Sequence, residues 1–438
     1  MTTNLNLAPN LPPLPRRVRA PVLETLGALF VAYSASFLQI AISSTYLGRN
    51  IVEPFFLLGL LLICYSCRTI RELFSRVIHS SRFLFLTGGL FAFGALGFFT
   101  GLQYVGPIDA AIAVYSDGRS IFIFFFLWFC AQTEGSALIE IDRVVTKIFI
   151  FLTVFEVVSV WKFGGGGMYL DTMEYSRMTI LAVAPMFLVI RFLVAKRVLF
   201  AYGALLASLY IGVVALMRLN YLFVAIGVFA IVLFSIKYLK SGIGFFRSAL
   251  LVLGIFAGIT ILPMKIVDYL EENPIRMIHG MNRLTALFEG EDMEETRQGN
   301  LYVLASEPEE FVIPQGFGTK AHTPRIMSEF RQKYGVLSSV DSNIFYCCYH
   351  FGLLFGGILF VYIIGSIIKS AFQSTTFGIL SVGAIFAVAL GISLLAMFFL
   401  KAWIFTYFSS ALPYGLFLFW IFRAREFNSL YGVIYGNR

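Results

Sequence analysis

Residues 377–400 read FGILSVGAIFAVALGISLLAMFFL, a run of 24 residues without a charged side chain. A helix of about 20 apolar residues is long enough to cross the hydrocarbon core of a bilayer. Similar unbroken runs recur along the whole chain, so we predict about twelve membrane spans. The predicted spans are residues 22–47, 54–67, 83–105, 120–132, 147–163, 178–195, 198–217, 221–236, 245–264, 343–368, 377–399 and 402–422.

The composition of the whole chain supports the same class. Of its 438 residues, 58% are hydrophobic and 13% are charged, and the mean hydropathy is +0.82. Soluble domains carry roughly 25% charged residues, so a soluble enzyme, a disordered chain and a disulfide scaffold are excluded. A membrane β-barrel would show alternating segments of about ten residues, and these runs do not alternate. We therefore predict an all-α polytopic integral membrane protein.

The net charge of +8 follows the membrane topology. Lys and Arg cluster at every second junction between spans, for example at residues 16–19, 68–82, 196–197 and 423–425. Cytoplasmic loops carry such an excess of basic residues, so we do not expect a nucleic-acid partner. The alternation predicts that both termini lie in the cytoplasm.

The chain divides into five predicted regions. A cytoplasmic tail (1–20) precedes spans one to nine (21–264), and a second tail (423–438) follows spans ten to twelve (342–422). Between the two groups of spans, residues 265–341 form a long polar loop on the outer side. This loop holds 13 of the 25 acidic residues against eight Lys and Arg, and its pattern is helical in parts. Loops of this length are usually functional.

Three arginines are predicted at the outer ends of spans, namely Arg119, Arg177 and Arg218. Charged groups near the membrane are candidates for function because burying them is unfavourable. The planar guanidinium group binds two phosphate oxygens at once, so such a cluster suits a pyrophosphate at the outer surface. The alternative is that these side chains only extend toward the interface.

No cluster of residues predicts a metal or another cofactor. The five cysteines lie in or beside apolar runs, and their spacing gives neither a disulfide framework nor a zinc site. The acidic run at residues 289–295 is best interpreted as a solvated stretch. We therefore expect no metal and no cofactor.

A series of short motifs lies between residues 297 and 360. Arg297 is followed by a short helical segment and then by Pro314-Gln315-Gly316-Phe317-Gly318. A polar pair, Asp341-Ser342, opens span ten, which soon reads G-L-x-x-G from Gly352. Gly316 and Gly318 predict a tight turn whose backbone can approach another group, such as a substrate, closely. The order of these motifs resembles the bacterial O-antigen ligase and Wzy-type O-antigen polymerase superfamily.

Two details of the resemblance bear on the branch of this superfamily. In the ligases the polar pair is typically His-Asn, whereas this chain has Asp341-Ser342. The family often has Ser-Arg at a span start where this chain has Met217-Arg218. The missing histidine favours the polymerase branch.

The resemblance implies a glycosyltransferase reaction at the periplasmic face of the bacterial inner membrane. A growing glycan on undecaprenyl pyrophosphate is transferred to an incoming lipid-linked repeat unit, without a metal. The partners are then this lipid-linked glycan, membrane lipids and, by analogy with the family, a chain-length regulator protein. The alternatives are a related ligase and, from another class, a lipid-linked glycan flippase.

Two residues are candidates for the general base that such a transfer needs. Asp341 lies at the outer mouth of span ten, but Asp is also a favoured N-cap residue for a helix. His322 is the second candidate, and its alternative role is that of a solvated loop histidine. The pyrophosphate would be bound by Arg119, Arg177, Arg218 and Arg297.

Overall fold

The structure is a computed structural model of the chain. It describes residues 21–36, 52–103, 105–133, 137–163, 182–214, 218–239, 304, 308–318, 343–376, 378, 381–400, 403–406 and 408–435. Within these ranges the regular elements are α-helices and one short 3-10 helix, with no strand. The all-α part of the prediction is therefore confirmed for the described residues.

Fifteen α-helices form the described bundle. They are α1 (Pro21–Ala35), α2 (Val52–Ser66), α3 (Arg68–Ile78), α4 (Ser81–Gly101), α5 (Pro107–Gln132), α6 (Leu138–Phe163), α7 (Val183–Val194), α8 (Val198–Val214), α9 (Arg218–Leu239), α10 (Asn343–Phe351), α11 (Leu353–Thr375), α12 (Val382–Leu400), α13 (Trp403–Thr406), α14 (Phe408–Phe422) and α15 (Ala424–Tyr435). The 3-10 helix is Pro308–Phe311 and lies between α9 and α10 in sequence.

Five of the described helices are long and apolar enough to cross a membrane. They are Ser81–Gly101, Pro107–Gln132, Leu138–Trp161, Leu353–Thr375 and Val382–Phe399. A sixth span is counted if α2 and α3, which meet at a bend of 116°, are taken together. The other apolar stretches within the described helices have 10–17 residues. The structure therefore supports a membrane protein, and the number of twelve spans stays a prediction.

The contact between α1 and α2 depends on two glycines that face each other. A Cβ atom on Gly27 would lie 2.8 Å from the carbonyl oxygen of Gly59, and the reverse distance is also 2.8 Å. Small residues at such a crossing let two helix backbones approach closely, which is a common basis of helix association in membranes.

The helix α3 is amphipathic and carries the basic residues that follow α2. Its buried side is formed by Ile70, Leu73 and Val77, while Arg68 and Glu72 form an exposed ion pair one turn apart. Ser80 then accepts a hydrogen bond from the Phe83 amide and caps the start of α4. A helix with one apolar and one charged side suits the membrane surface.

The predicted fourth span was too short. The sequence pattern gave residues 120–132, whereas α5 begins at Pro107, which occupies the first turn of the helix, and continues to Gln132. Asp117 and Arg119 therefore lie within α5, about halfway along it, and not at an outer span end. Both side chains have partners in the bundle, so the charges do not end the helix.

The predicted tenth span is divided into two helices. Gly352 has a φ angle of +84°, which ends α10 and starts α11 in a new direction. A Cβ atom on Gly356 would lie 2.0 Å from the carbonyl oxygen of Cys347. In the G-L-x-x-G motif, Gly352 thus allows the helix break and Gly356 allows the close packing of α11 against α10.

The end of α7 contains an unusual backbone conformation. Lys196 has a φ angle of +58°, and its amide donates to the Leu193 carbonyl while the Arg197 amide donates to the Phe192 carbonyl. This is the Schellman arrangement, in which glycine normally occupies the position of Lys196. The left-handed conformation costs a residue with a Cβ atom about 1–2 kcal/mol.

Candidate functional site at the Gly316–Gly318 turn

The described part of the long loop is a short segment that packs into the bundle. It consists of the 3-10 helix Pro308–Phe311 and a turn in which Gly316 and Gly318 have φ angles of +75° and +83°. We call residues 316–318 the turn. We call the end of the bundle at which α4 ends and α5 begins the turn end.

The two glycines of the turn lie directly against helix backbones. A Cβ atom on Gly316 would lie 2.1 Å from the amide nitrogen of Gly97 in α4. The equivalent atom on Gly318 would lie 2.4 Å from the amide nitrogen of Val114 in α5. The close approach expected of these glycines is therefore made to the protein itself, and approach to a substrate stays a prediction.

Phe317 inserts between α4 and α5. Its ring is almost fully buried, and it lies within 2.9 Å of the positions that Cβ atoms would take on Gly94 and Gly118. Three glycines on the helices, including Gly97, thus form a slot that accepts the turn and its one large side chain. Apolar burial of this ring helps to hold the turn in place.

Asp117 is the polar anchor of the turn. The side chain is buried in α5, and its Oδ2 atom accepts hydrogen bonds from the Gly318 amide at 3.2 Å and from the Tyr346 hydroxyl at 2.8 Å. Buried carboxylates are tolerated when donors satisfy them, and these two donors come from the loop and from α10. The single carboxylate therefore joins three parts of the chain.

His350 holds the turn from the other side. Its ring is fully buried, and Nδ1 lies 2.7 Å from the Gly316 carbonyl oxygen. Because a carbonyl only accepts, Nδ1 carries the proton in this contact. The backbone also pairs, since the Gly316 amide donates to the His350 carbonyl at 3.0 Å and the Gln315 amide donates to the Tyr349 carbonyl at 3.2 Å.

The start of α10 is fixed to the end of α12. The Asn343 amide group donates to the carbonyls of Met397 and Phe398 at 3.1 and 3.2 Å. These hydrogen bonds fix the position of Asn343, and Asp341 lies two residues before it in sequence. Asp341 itself lies outside the described residues, so its roles as a base or an N-cap stay open.

Arg119 makes contacts within the protein. Its guanidinium group forms an ion pair with Glu53 of α2 and lies 5.8 and 5.1 Å from the ring centroids of Tyr115 and Phe408. About a quarter of each charged side chain remains exposed. Arg119 thus links α2, α5 and α14, and a phosphate would compete with Glu53 for its guanidinium group.

The starts of α7 and α9 are joined by a hydrogen bond. The buried Asn220 side chain accepts a hydrogen bond from the Ala182 amide at 2.8 Å. Arg218 is the first residue of α9, two residues before Asn220. Arg177 precedes Ala182 by five residues in sequence and lies outside the described residues.

Three further predictions also lie outside the described residues, namely the pyrophosphate role of Arg297, the base role of His322 and most of the predicted loop 265–341. Sequence reasoning missed Asp117, Tyr346 and His350, which organise the described site. The signal in the sequence was an acid and a histidine within or beside apolar runs. Such side chains are unfavourable in a membrane helix unless they have partners.

Comparison of the chain with protein-family models, curated proteins and solved structures finds no match. Among the described residues, no three His, Cys, Asp or Glu side chains are grouped in a way that could hold a metal ion. The geometry described above is therefore the basis for the functional argument.

Proposed function

We propose that this chain is a polysaccharide polymerase of the O-antigen type. It transfers a growing glycan from undecaprenyl pyrophosphate to an incoming lipid-linked repeat unit at the periplasmic face of the inner membrane. The observation that carries the proposal is the docking of the turn through Asp117 and His350. These contacts hold the loop segment that bears the family-like motifs against α5 and the end of α10.

Helix α14 contacts residues close to the turn in sequence and residues near the start of α9. Near its start, Phe408 lies under the Arg119 guanidinium group, which is two residues from Asp117. One and a half turns further, the Tyr414 ring lies 6.5 Å from that of Phe223, which follows Asn220 in α9. The first half of α14 therefore contacts both Arg119 of α5 and Phe223 of α9, and this supports an arrangement of the candidate residues around one helix.

In the proposal, arginines stabilise the pyrophosphate leaving group. Arg177, Arg218 and Arg297 would donate to its oxygens and neutralise the charge that develops as the glycosidic bond breaks. Arg119 stays paired with Glu53 and fixes α5 and α14 around the site. The role of general base falls to Asp341 or His322, which would accept the proton of the attacking sugar hydroxyl.

Deletion of the gene followed by gel analysis of lipopolysaccharide tests the proposed class of reaction. A cell without a polymerase retains the lipid A core with a single repeat unit. Bare core after deletion would contradict the proposal, because a ligase or a flippase is needed before the first unit appears on the core.

Replacement of Arg218 tests the proposed pyrophosphate contact. We expect Arg218→Ala in the complemented strain to reduce polymer by about 10²–10³ in rate, the usual loss for one such donor. Arg218→Lys should restore activity only in part, because Lys lacks the bidentate geometry. The matched control is Arg82→Ala, an exposed arginine at the opposite end of the bundle, which should leave polymer unchanged at equal protein level.

A further inference from the structure

A second polar site lies at the end of the bundle opposite the turn. A cavity of about 650 Å³ opens between the start of α6, the end of α7 and the helix α15. We call it the basic cavity. Its charged lining consists of Arg143, Lys147, Arg191, Lys196, Arg197 and Asp142.

The basic cavity has an excess of positive charge. Among the described residues, Asp142 is the single carboxylate in the lining, and Glu24 lies behind the lining with only 1% of its side chain exposed. Glu24 pairs with both Arg143 and Lys147 at 2.9 Å. One carboxylate thus faces two cations in this part of the lining, which leaves their combined charge positive.

Asp142 orients Arg191 within the lining. Arg191 donates to the two carboxylate oxygens through Nε at 2.9 Å and Nη2 at 2.6 Å. The Tyr431 hydroxyl of α15 donates to Asp142 at 2.8 Å, and its ring lies 5.3 Å from the guanidinium carbon of Arg191. The carboxylate is therefore engaged by donors of the protein, and it holds the arginine in a fixed position.

The remaining two cations lie on the link between α7 and α8. Lys196 occupies the position that the Schellman arrangement normally gives to glycine, with a φ angle of +58°. An unfavourable backbone conformation that persists points to a role for the side chain, and this side chain lines the cavity. Arg197 follows it and is exposed, with its guanidinium group 6.0 Å from the Phe200 ring.

We propose that the basic cavity binds a phosphate group. Arg191 and Arg197 would contribute planar donors and Lys147 and Lys196 point charges, which together match the oxygens of a phosphate ester. Basic pockets between membrane helices on the cytoplasmic side recognise the head groups of anionic lipids. The shared chemistry is a phosphate that is carried either by such a lipid or by a soluble molecule.

The ordinary alternative is a set of basic residues that only sets the membrane orientation. Exposed charges anywhere on this surface would serve that purpose. Basic residues that only set the orientation do not require a concave arrangement, buried carboxylates behind them or a lysine in a left-handed conformation. These three features distinguish the basic cavity from the exposed arginines of α3.

Native mass spectrometry of the purified full chain tests the proposal with two defined lipids. We expect the wild-type protein to retain phosphatidylglycerol in preference to zwitterionic phosphatidylcholine. Arg197→Glu should weaken this retention at least about tenfold, as expected for loss of one charge-assisted hydrogen bond. Arg82→Glu makes the same change of charge at an exposed site outside the cavity and should leave retention unchanged.

Inorganic phosphate in place of lipid distinguishes the two sources of the phosphate. A rise in the thermal midpoint with phosphate, absent in Arg197→Glu, would assign a soluble ligand, while selective lipid retention would assign a head group. Lys196→Gly serves as the second variant, since it should fold at least as well as the wild type and still bind less. Equal binding of lipid and of phosphate to the wild type and both cavity variants would overturn the proposal.

Discussion

At the scale of single residues, the buried carboxylate of Asp117 has the largest role in the described site. It accepts from the Gly318 amide and from the Tyr346 hydroxyl, so one side chain holds the loop and α10 against α5. Removal of the carboxylate leaves buried donors without this acceptor. A buried donor that loses its partner costs about 1–3 kcal/mol.

We therefore predict that Asp117→Ala lowers the free energy of unfolding by about 1–3 kcal/mol per donor left unpaired and lowers polymer formation. Tyr346→Phe should have a smaller effect, because the bond from the Gly318 amide remains. Thermal unfolding in detergent measures both variants. Asp109→Ala, an exposed acid at the start of the same helix, is the control. An equal midpoint for Asp117→Ala and Asp109→Ala would contradict this role.

Sequence reasoning at this scale identified charged residues but not their partners. Arg119 was selected for its position near a predicted span end, and the structure instead places it in an ion pair with Glu53. Asp117 was passed over, although its partners make it central. Those partners are 201 and 229 residues away in sequence, and no local pattern connects groups so far apart.

At the scale of elements, glycines determine how the turn and the helices fit together. A Cβ atom on Gly97 would lie 2.0 Å from the carbonyl oxygen of Phe317, so α4 accepts the turn only without a side chain there. Gly88, on the same helix, has no atom within 4 Å of the equivalent position among the described residues.

This difference predicts opposite effects of one substitution at two positions. Gly97→Ala should displace the turn and lower the thermal midpoint, since the clash is with backbone. Gly88→Ala should raise the midpoint slightly, because Ala is favoured over Gly within a helix by about 1 kcal/mol. Thermal unfolding of the two variants side by side is the measurement. Equal shifts of the same sign would contradict this prediction, because they would show that a side chain at residue 97 does not displace the turn.

The limits of prediction for these elements have physical causes. The apolar run of α12 indicated a helix because no charged residue interrupts it. The start of α5 was placed 13 residues too late, as polar residues at 116–119 resembled a loop. The break at Gly352 was missed because a glycine within an apolar run is common in membrane helices.

At the scale of the whole molecule, composition predicted an all-α membrane protein, and the described helices agree with this class. The orientation is a separate inference from the basic junctions. The number of twelve spans stays a prediction, because several described apolar helices are shorter than a full crossing and their neighbours decide how they sit in the bilayer.

The predicted orientation places residues 265–341 outside and both termini inside. We expect a reporter that folds only in the periplasm to be active when fused after Glu291. The same reporter inserted at residues 134–136, between α5 and α6, should be inactive. Reversed activities at the two sites would overturn the predicted orientation.

The anchoring of Asp117 also has a consequence for biosynthesis. The helix α5 leaves the ribosome about 200 residues before Gly318 and Tyr346. At about 5–20 residues per second, the carboxylate then waits roughly 10–40 s in the translocation channel or the bilayer before these donors are made. Glu53, by contrast, precedes Arg119 and is available to it at once. During this interval the nascent chain contains an acid within a hydrophobic helix before these two donors have been synthesised. We expect membrane chaperones to bind α5 most strongly in that interval.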